Sequence, residues 1–203
     1  SSAASDVYKR QVVGRREELR RLDQWWEGSG QLLSLIGPGG IGKTSLLVTW
    51  AGGLLSRPHA VPGGAWFCDL SETRDRAEVV EVISRALGLR GGQTTDAGEL
   101  DGKLTSAIRA RGAAPLLLDN VEQVVGDVAE LCGHWLAEAP ELRVLLTSRE
   151  RLRLRQEEEL ALGALPPEHA RALFERQASA GDTETERAAV DAAPREEARD
   201  AAE

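Results

Sequence analysis

The stretch "SLIGPGGIGKTSLLVTW" (34–50) restricts the possible folds more than any other part of the chain. A short apolar run, "QLLSLIG", leads into a glycine-rich turn. Behind the turn, Leu46, Leu47, Trp50, Ala51, Leu54 and Leu55 recur at helical spacing. A strand, a permissive turn and a helix in that order are the first half of a βαβ unit. Such a turn points consecutive backbone N–H groups and the positive end of the helix at one place, which suits an anion. Two patterns overlap there. Gly37, Gly39 and Gly42 fit G-x-G-x-x-G, the turn that carries a dinucleotide pyrophosphate. Gly37, Gly42, Lys43 and Thr44 fit G-x-x-x-x-G-K-[ST], the P-loop that wraps nucleoside phosphates.

The rest of the chain repeats the alternation. "EELRRLDQWWEG" puts Leu19, Leu22 and Trp26 on one helical face ahead of the first strand. "GGAWFCDL" follows as a strand, and "AEVVEVISRALG" as a helix closed by Gly88. After the loop "RGGQTTDAG", a helix carries Leu100, Leu104 and Ile108. "APLLLDN" is a third strand, Val124 to Trp135 stripe another helix, and "LRVLLTSRE" is a fourth strand. "EELALGAL" is a candidate fifth strand, and "PPEHARALFERQ" a final helix. This pattern predicts an α/β three-layer sandwich. Its mostly parallel sheet would have about five strands, with helices on both faces. Ligands of such sheets bind at the carboxyl ends of the strands, where 37–44, 119–120 and 147–149 fall.

The second glycine pattern explains more residues than the first. A dinucleotide turn needs an acidic residue at the end of the second strand. Asp69 stands there, somewhat late, but nothing in that pattern accounts for Lys43, Thr44 or a later aspartate. In a P-loop, Lys43 places a point charge on the β- and γ-phosphates and Thr44 offers a hydroxyl to Mg²⁺. That loop also requires a strand ending in a metal-holding carboxylate, a Walker B strand, and "PLLLDN" supplies Asp119. The alternative duty for Asp119 is to cap the helix that follows.

Composition narrows the function further. The 203 residues suffice for one domain, and 12–180 are read as the P-loop nucleotide-binding domain. Residues 1–11 lack an apolar signal core and are expected to be disordered or extraneous. Residues 181–203 hold eight acidic residues against three arginines and almost no large apolar side chain, so a disordered or frayed-helical tail is expected. A net charge of −8 and a pI near 5.1 disfavour direct nucleic-acid binding by this segment. No apolar run approaches the roughly 20 residues of a membrane span. Cys68 and Cys132 are unpatterned, as in a reduced, cytoplasmic protein. Cys132 and His134 lie in an apolar helical stretch without further metal-ligand partners.

Three further stretches point to a family: "VVGRREEL" (12–19), "PLLLDNVEQV" (115–124) and "RVLLTSRERLRL" (143–154). Together with "GPGGIGKTSL" they closely resemble the nucleotide-binding domain of STAND signalling ATPases. The branch they resemble is NB-ARC/AP-ATPase, as in bacterial regulators of the LuxR and SARP type. The likeness runs in order over about residues 12–178. It implies that Val13 and Arg15 contact base or ribose. Gly39, Gly40, Ile41, Gly42, Lys43, Thr44 and Ser45 would line the phosphates, and Arg149 would sense the γ-phosphate. Thr147 and Ser148 are read as shaping the turn before it.

The chain departs from that pattern at Asn120. Many members carry a second carboxylate there to orient the attacking water, and an amide cannot act as a general base. Glu122 is a substitute, although the start of a helix is its expected place. The resemblance also implies a helical lid and a winged helix downstream of this domain, beyond residue 203. The resulting expectation is an ATP/ADP-binding, Mg²⁺-dependent switch domain, at most a slow ATPase, forming homo-oligomers on activation in the full-length protein. An active P-loop ATPase or kinase and a nonbinding interaction scaffold are the alternatives.

Overall fold

Among the described residues five strands pair in one parallel sheet, four of them built from apolar runs. The computed structural model describes residues 14–57, 60–61, 64–89 and 97–165, all but the last within the first of two units, Ser1–Ala164. The predicted N-terminal extension, the final helix in 166–177 and the acidic tail lie outside the described residues. The strands are β1 (Leu32–Ile36), β2 (Trp66–Asp69), β3 (Pro115–Asp119), β4 (Arg143–Ser148) and β5 (Glu157–Ala161). They pair in the order β2-β3-β4-β1-β5. The helices among the described residues are α1 (Arg16–Glu27), α2 (Lys43–Leu55), α3 (Arg76–Ala86), α4 (Ala97–Ala110) and α5 (Val125–Glu138). The chain therefore forms the predicted doubly covered α/β sandwich.

Side chains of successive strand residues point to opposite faces, so each inner strand feeds two cores. Leu32, Leu116, Leu118, Val144 and Leu146 face one layer, where α3, α4 and α5 supply Ile83, Leu104, Val128, Leu131 and Trp135. Leu33, Leu35, Leu117, Leu145 and Leu160 face the other, against Leu22, Trp25, Leu46, Leu47 and Trp50 of α1 and α2. The edge strand β5 contributes only Leu160 as a buried residue, which is why its sequence is mostly glutamate.

Register brings the functional segments to one rim. Leu35 stands opposite Thr147, and Leu118 opposite Leu146. The turn after β1, the end of β3 and the end of β4 thus arrive together, and Gly37 N donates to Ser148 O at 3.2 Å. At the opposite end, the Arg143 guanidinium donates to Trp25 O, Gly28 O and Gly30 O at 3.0, 2.7 and 2.8 Å. Those bonds tie the end of α1 and the turn after it to the start of β4.

Leu118 is fully buried in the α3–α5 layer. Leu118→Ala should lower stability by about 2–5 kcal/mol in denaturant unfolding followed by tryptophan fluorescence. A loss below about 1 kcal/mol would contradict tight packing at that strand.

Candidate functional site

The glycine loop is shaped for close approach by an anion. Gly40 and Gly42 take φ of +73° and +96°, a left-handed backbone that side-chain-bearing residues rarely adopt. Gly42 is also the N-cap of α2. It offers no capping side chain, and the first turn of α2 contains no acidic residue. The first N–H groups of that helix therefore keep their donor capacity and the positive end of its dipole for something external. They face a cleft of about 580 Å³ lined by Gly39, Gly40, Gly42, Lys43, Thr44 and Ser45 on one side. Ser71, Asn120, Glu122, Gln123 and Arg149 line the other. Pockets of this size accept small organic ligands.

Lys43 and Thr44, the first two residues of α2, turn to different partners. The Lys43 ammonium donates to Gly37 O at 2.8 Å and Pro38 O at 3.1 Å, which braces the loop from within. Thr44 Oγ1 donates to Asp119 Oδ1 at 3.1 Å. Asp119 is 1% exposed, and both of its carboxylate oxygens are hydrogen-bonded. Oδ1 also accepts from Thr147 Oγ1, and Oδ2 accepts from Asn120 Nδ2 at 3.3 Å. Burial of a carboxylate is tolerable when its lone pairs are met in this way. Asp119 therefore caps no helix here; it ties β3 to the loop.

Two residues make contacts that the sequence does not indicate. The sequence offers Thr147 only as a turn former, but β4 lies between β1 and β3, so its side chain falls between the glycine loop and Asp119. It bonds Asp119 and accepts from Asn120 N at 3.0 Å. Ser148 does shape the turn, accepting from Glu150 N at 3.1 Å. Asn120, in the left-handed region at φ 59°, uses its amide to join Asp119 to Asp69 Oδ1 at 3.0 Å. Asp69 also accepts from Ser71 N at 3.0 Å. The Asn120 bond, with help from Ser71, holds the Asp69 carboxyl below its ordinary pKa.

Glu122 differs from expectation as well. A short 3₁₀ turn, Val121–Gln123, precedes α5, so Glu122 does not sit in the helix's first turn. Its Oε1 lies 3.8 Å from Lys43 Nζ and 3.9 Å from Arg149 Nε. Arg149, 69% exposed, reaches over the loop: a Cβ built on Gly39 would be 3.1 Å from its Nη2.

Arg15 is 4% exposed and absent from the cleft lining. It donates to Glu18 at 2.8 Å, Ile41 O at 3.1 Å and Gly163 O at 2.8 Å, clamping the loop's backbone to α1 and to the segment after β5. The Ile41 side chain packs against the α1–α2 core. Val13 lies outside the described residues.

The donor set suits Mg²⁺. A hydroxyl and a carboxylate are hard oxygen ligands, and Mg²⁺ is commonly held by one or two such groups together with substrate phosphates. Among the described residues there is no group of three or more His, Cys, Asp or Glu arranged to cage a metal by themselves.

A family model described as the NB-ARC domain matches residues 15–184. The chain belongs to the NB-ARC family. It is thus an NB-ARC nucleotide-binding domain. Over 124 residues the NB-ARC domain is 32% identical to proteins of Mycobacterium tuberculosis and Mycobacterium bovis named as HTH-type transcriptional regulators. The match takes in 59% of this chain and 13% of each relative, so the chain spans a small part of the curated relatives' length.

Among solved structures, a STAND protein with a tetratricopeptide-repeat sensor from Pyrococcus horikoshii superposes with a TM-score of 0.57 at 21% identity. That match covers 81% of this chain and 25% of that one. The ORC2 protein of Aeropyrum pernix, solved as ADPNP–ADP complexes, gives 0.57 at 17% identity, over 81% and 52% of the two chains. These likenesses are of fold. Among the described residues no helix is long and apolar enough to cross a membrane.

The Asn120 bridge has a measurable consequence. A folded pKa held low contributes stability above the ordinary carboxylate pKa, and that contribution is lost as pH falls through the lowered value. Asn120→Ala should move Asp69 back toward the ordinary range in an NMR carboxyl titration, leaving Ser71 N as its partner. An unmoved Asp69 would contradict the bridge.

Proposed function

We propose that this NB-ARC domain binds ATP and ADP with Mg²⁺ and acts as a weakly hydrolysing or non-hydrolysing switch in a bacterial signalling or transcriptional regulator. One observation carries the proposal: uncapped amides at the start of α2, Lys43 and Thr44 line a single cleft, and Thr44 is bonded to Asp119, which is buried and outside the cleft lining. The amides of 39–45 and Lys43 would hold the phosphates, and Thr44 and Asp119 the Mg²⁺. Mg²⁺ would neutralise phosphate charge when bound. Arg149, exposed above Gly39, is placed to answer a terminal phosphate.

Slow hydrolysis follows from two side chains. Asn120 stands directly after Asp119 and has no basic site for a water's proton. Its amide is committed to Asp69 and Asp119. The Glu122 carboxylate is engaged with two cations, Lys43 and Arg149, rather than turned toward an attacking water. A domain that keeps its nucleotide can store a state, and differential affinity for ATP and ADP can then shift a conformational equilibrium.

The regulator setting is supported by the names of the mycobacterial relatives. We place the protein in the cytoplasm, in keeping with the free, buried Cys68 and Cys132. Homo-oligomerisation on activation of the full-length protein belongs to the same proposal. Any nucleic-acid contact would come from elsewhere in the regulator, given the acidity of this chain.

Lys43→Ala should abolish ATP and ADP binding in calorimetry while circular dichroism stays native; unchanged binding would overturn the site assignment. Phosphate release by the wild type should run far below the roughly 10 s⁻¹ of a median enzyme. Rapid turnover that survives Glu122→Gln would contradict the switch.

A further inference from the structure

Glu122 presents a negative charge inside a cleft otherwise built for anions. Its side chain is 24% exposed, and one oxygen faces both cations of the site at under 4 Å: Lys43 Nζ at 3.8 Å and Arg149 Nε at 3.9 Å. The two cations differ in their other commitments. Lys43 is buried and bonded to the loop carbonyls of Gly37 and Pro38. Arg149 is exposed and forms its ion pair with Glu122. The phosphates nearest the loop can draw on the α2 amides and Lys43. A further terminal phosphate would share Lys43 and also draw on Arg149, and there it would meet the Glu122 carboxylate as a rival anion.

We infer that Glu122 is a specificity-determining residue that favours the diphosphate over the triphosphate form of the bound nucleotide. The inference rests on the nucleotide-binding proposal above and concerns regulation of that same site. Electrostatics gives the sign. Both nucleotides share Lys43 with Glu122, but a third phosphate at Arg149 means either separating Glu122 from that guanidinium or leaving two anions to share it, a cost that ADP would not incur. Like charges about 4 Å apart near a protein surface repel strongly enough to shift an affinity by on the order of tenfold or more. The residue types add a second reason. Glu122 lies on a tight 3₁₀ turn directly after Asn120, whose backbone and amide are fixed by Thr147, Asp69 and Asp119. The backbone that carries Glu122 is thereby anchored beside the two cations, so only rotation of its side chain can take the carboxylate away from an incoming phosphate.

The experiment measures equilibrium affinities of the chain for Mg²⁺–ADP and for the Mg²⁺ complex of a non-hydrolysable imido analogue of ATP. Hydrolysis then has no part in the result. Wild type should prefer ADP. Glu122→Gln should tighten the analogue roughly tenfold or more relative to ADP. Glu122→Ala, which removes the same charge with a different shape, should move the ratio in the same direction. Adding Arg149→Ala to Glu122→Gln should return most of that gain. An unchanged ratio in both single variants, or equal tightening of both nucleotides, would overturn the inference while leaving the binding site standing. Failure of the wild type to bind either nucleotide would overturn the binding proposal and this inference with it.

Discussion

The buried carboxylate of Asp119 is the point on which the rim of the sheet depends. It receives the hydroxyls of Thr44 and Thr147 and the amide of Asn120, from three different segments of the chain. A charge 1% exposed would be costly without those donors, so the three segments are held wherever the carboxylate is. Thr44 opens α2, and its position fixes the first turn of that helix and hence the direction of its free amides. The glycine loop supplies the curvature, but the Asp119 cluster fixes where the curve ends.

Charge around this point is arranged in layers. Innermost are the Asp119 carboxylate and its neutral donors. Around them are Lys43, tied to the loop carbonyls, and Glu122, which faces it. Outermost is Arg149, exposed and within reach of both Glu122 and Gly39. An anion entering the cleft meets cations at two depths with a carboxylate between them. That order suits a domain that distinguishes two charge states of one ligand better than one that turns substrate over.

Much of this is legible in the sequence. The glycine spacing with Lys43 and Thr44, and Asp119 at the end of an apolar run, are enough to place those residues on one rim of a parallel sheet. Unbroken apolar runs in "PLLLD" and "RVLLTS" signal strands buried on both faces. Strand order is what cannot be read. Once β4 is known to lie between β1 and β3, Thr147 must fall beside Asp119; the linear sequence gives it only as a polar residue near a turn. Glu122 is visible in the sequence as a stand-in carboxylate, but not its exact place: one 3₁₀ turn before α5 carries it, and it lines the cleft. Arg15 shows a different limit. Its motif is visible, but its engagement with Ile41 O and Gly163 O depends on segments up to 148 residues apart.

The central claim is that the amides of residues 37–44 form the anion cage. Backbone ¹H–¹⁵N shifts recorded while Mg²⁺–ADP is added test this most directly. The account predicts large shifts at Gly40, Gly42, Lys43 and Thr44, with smaller ones at Asp119, Asn120 and Thr147. Saturable binding that leaves the loop amides unmoved and shifts residues elsewhere would contradict it.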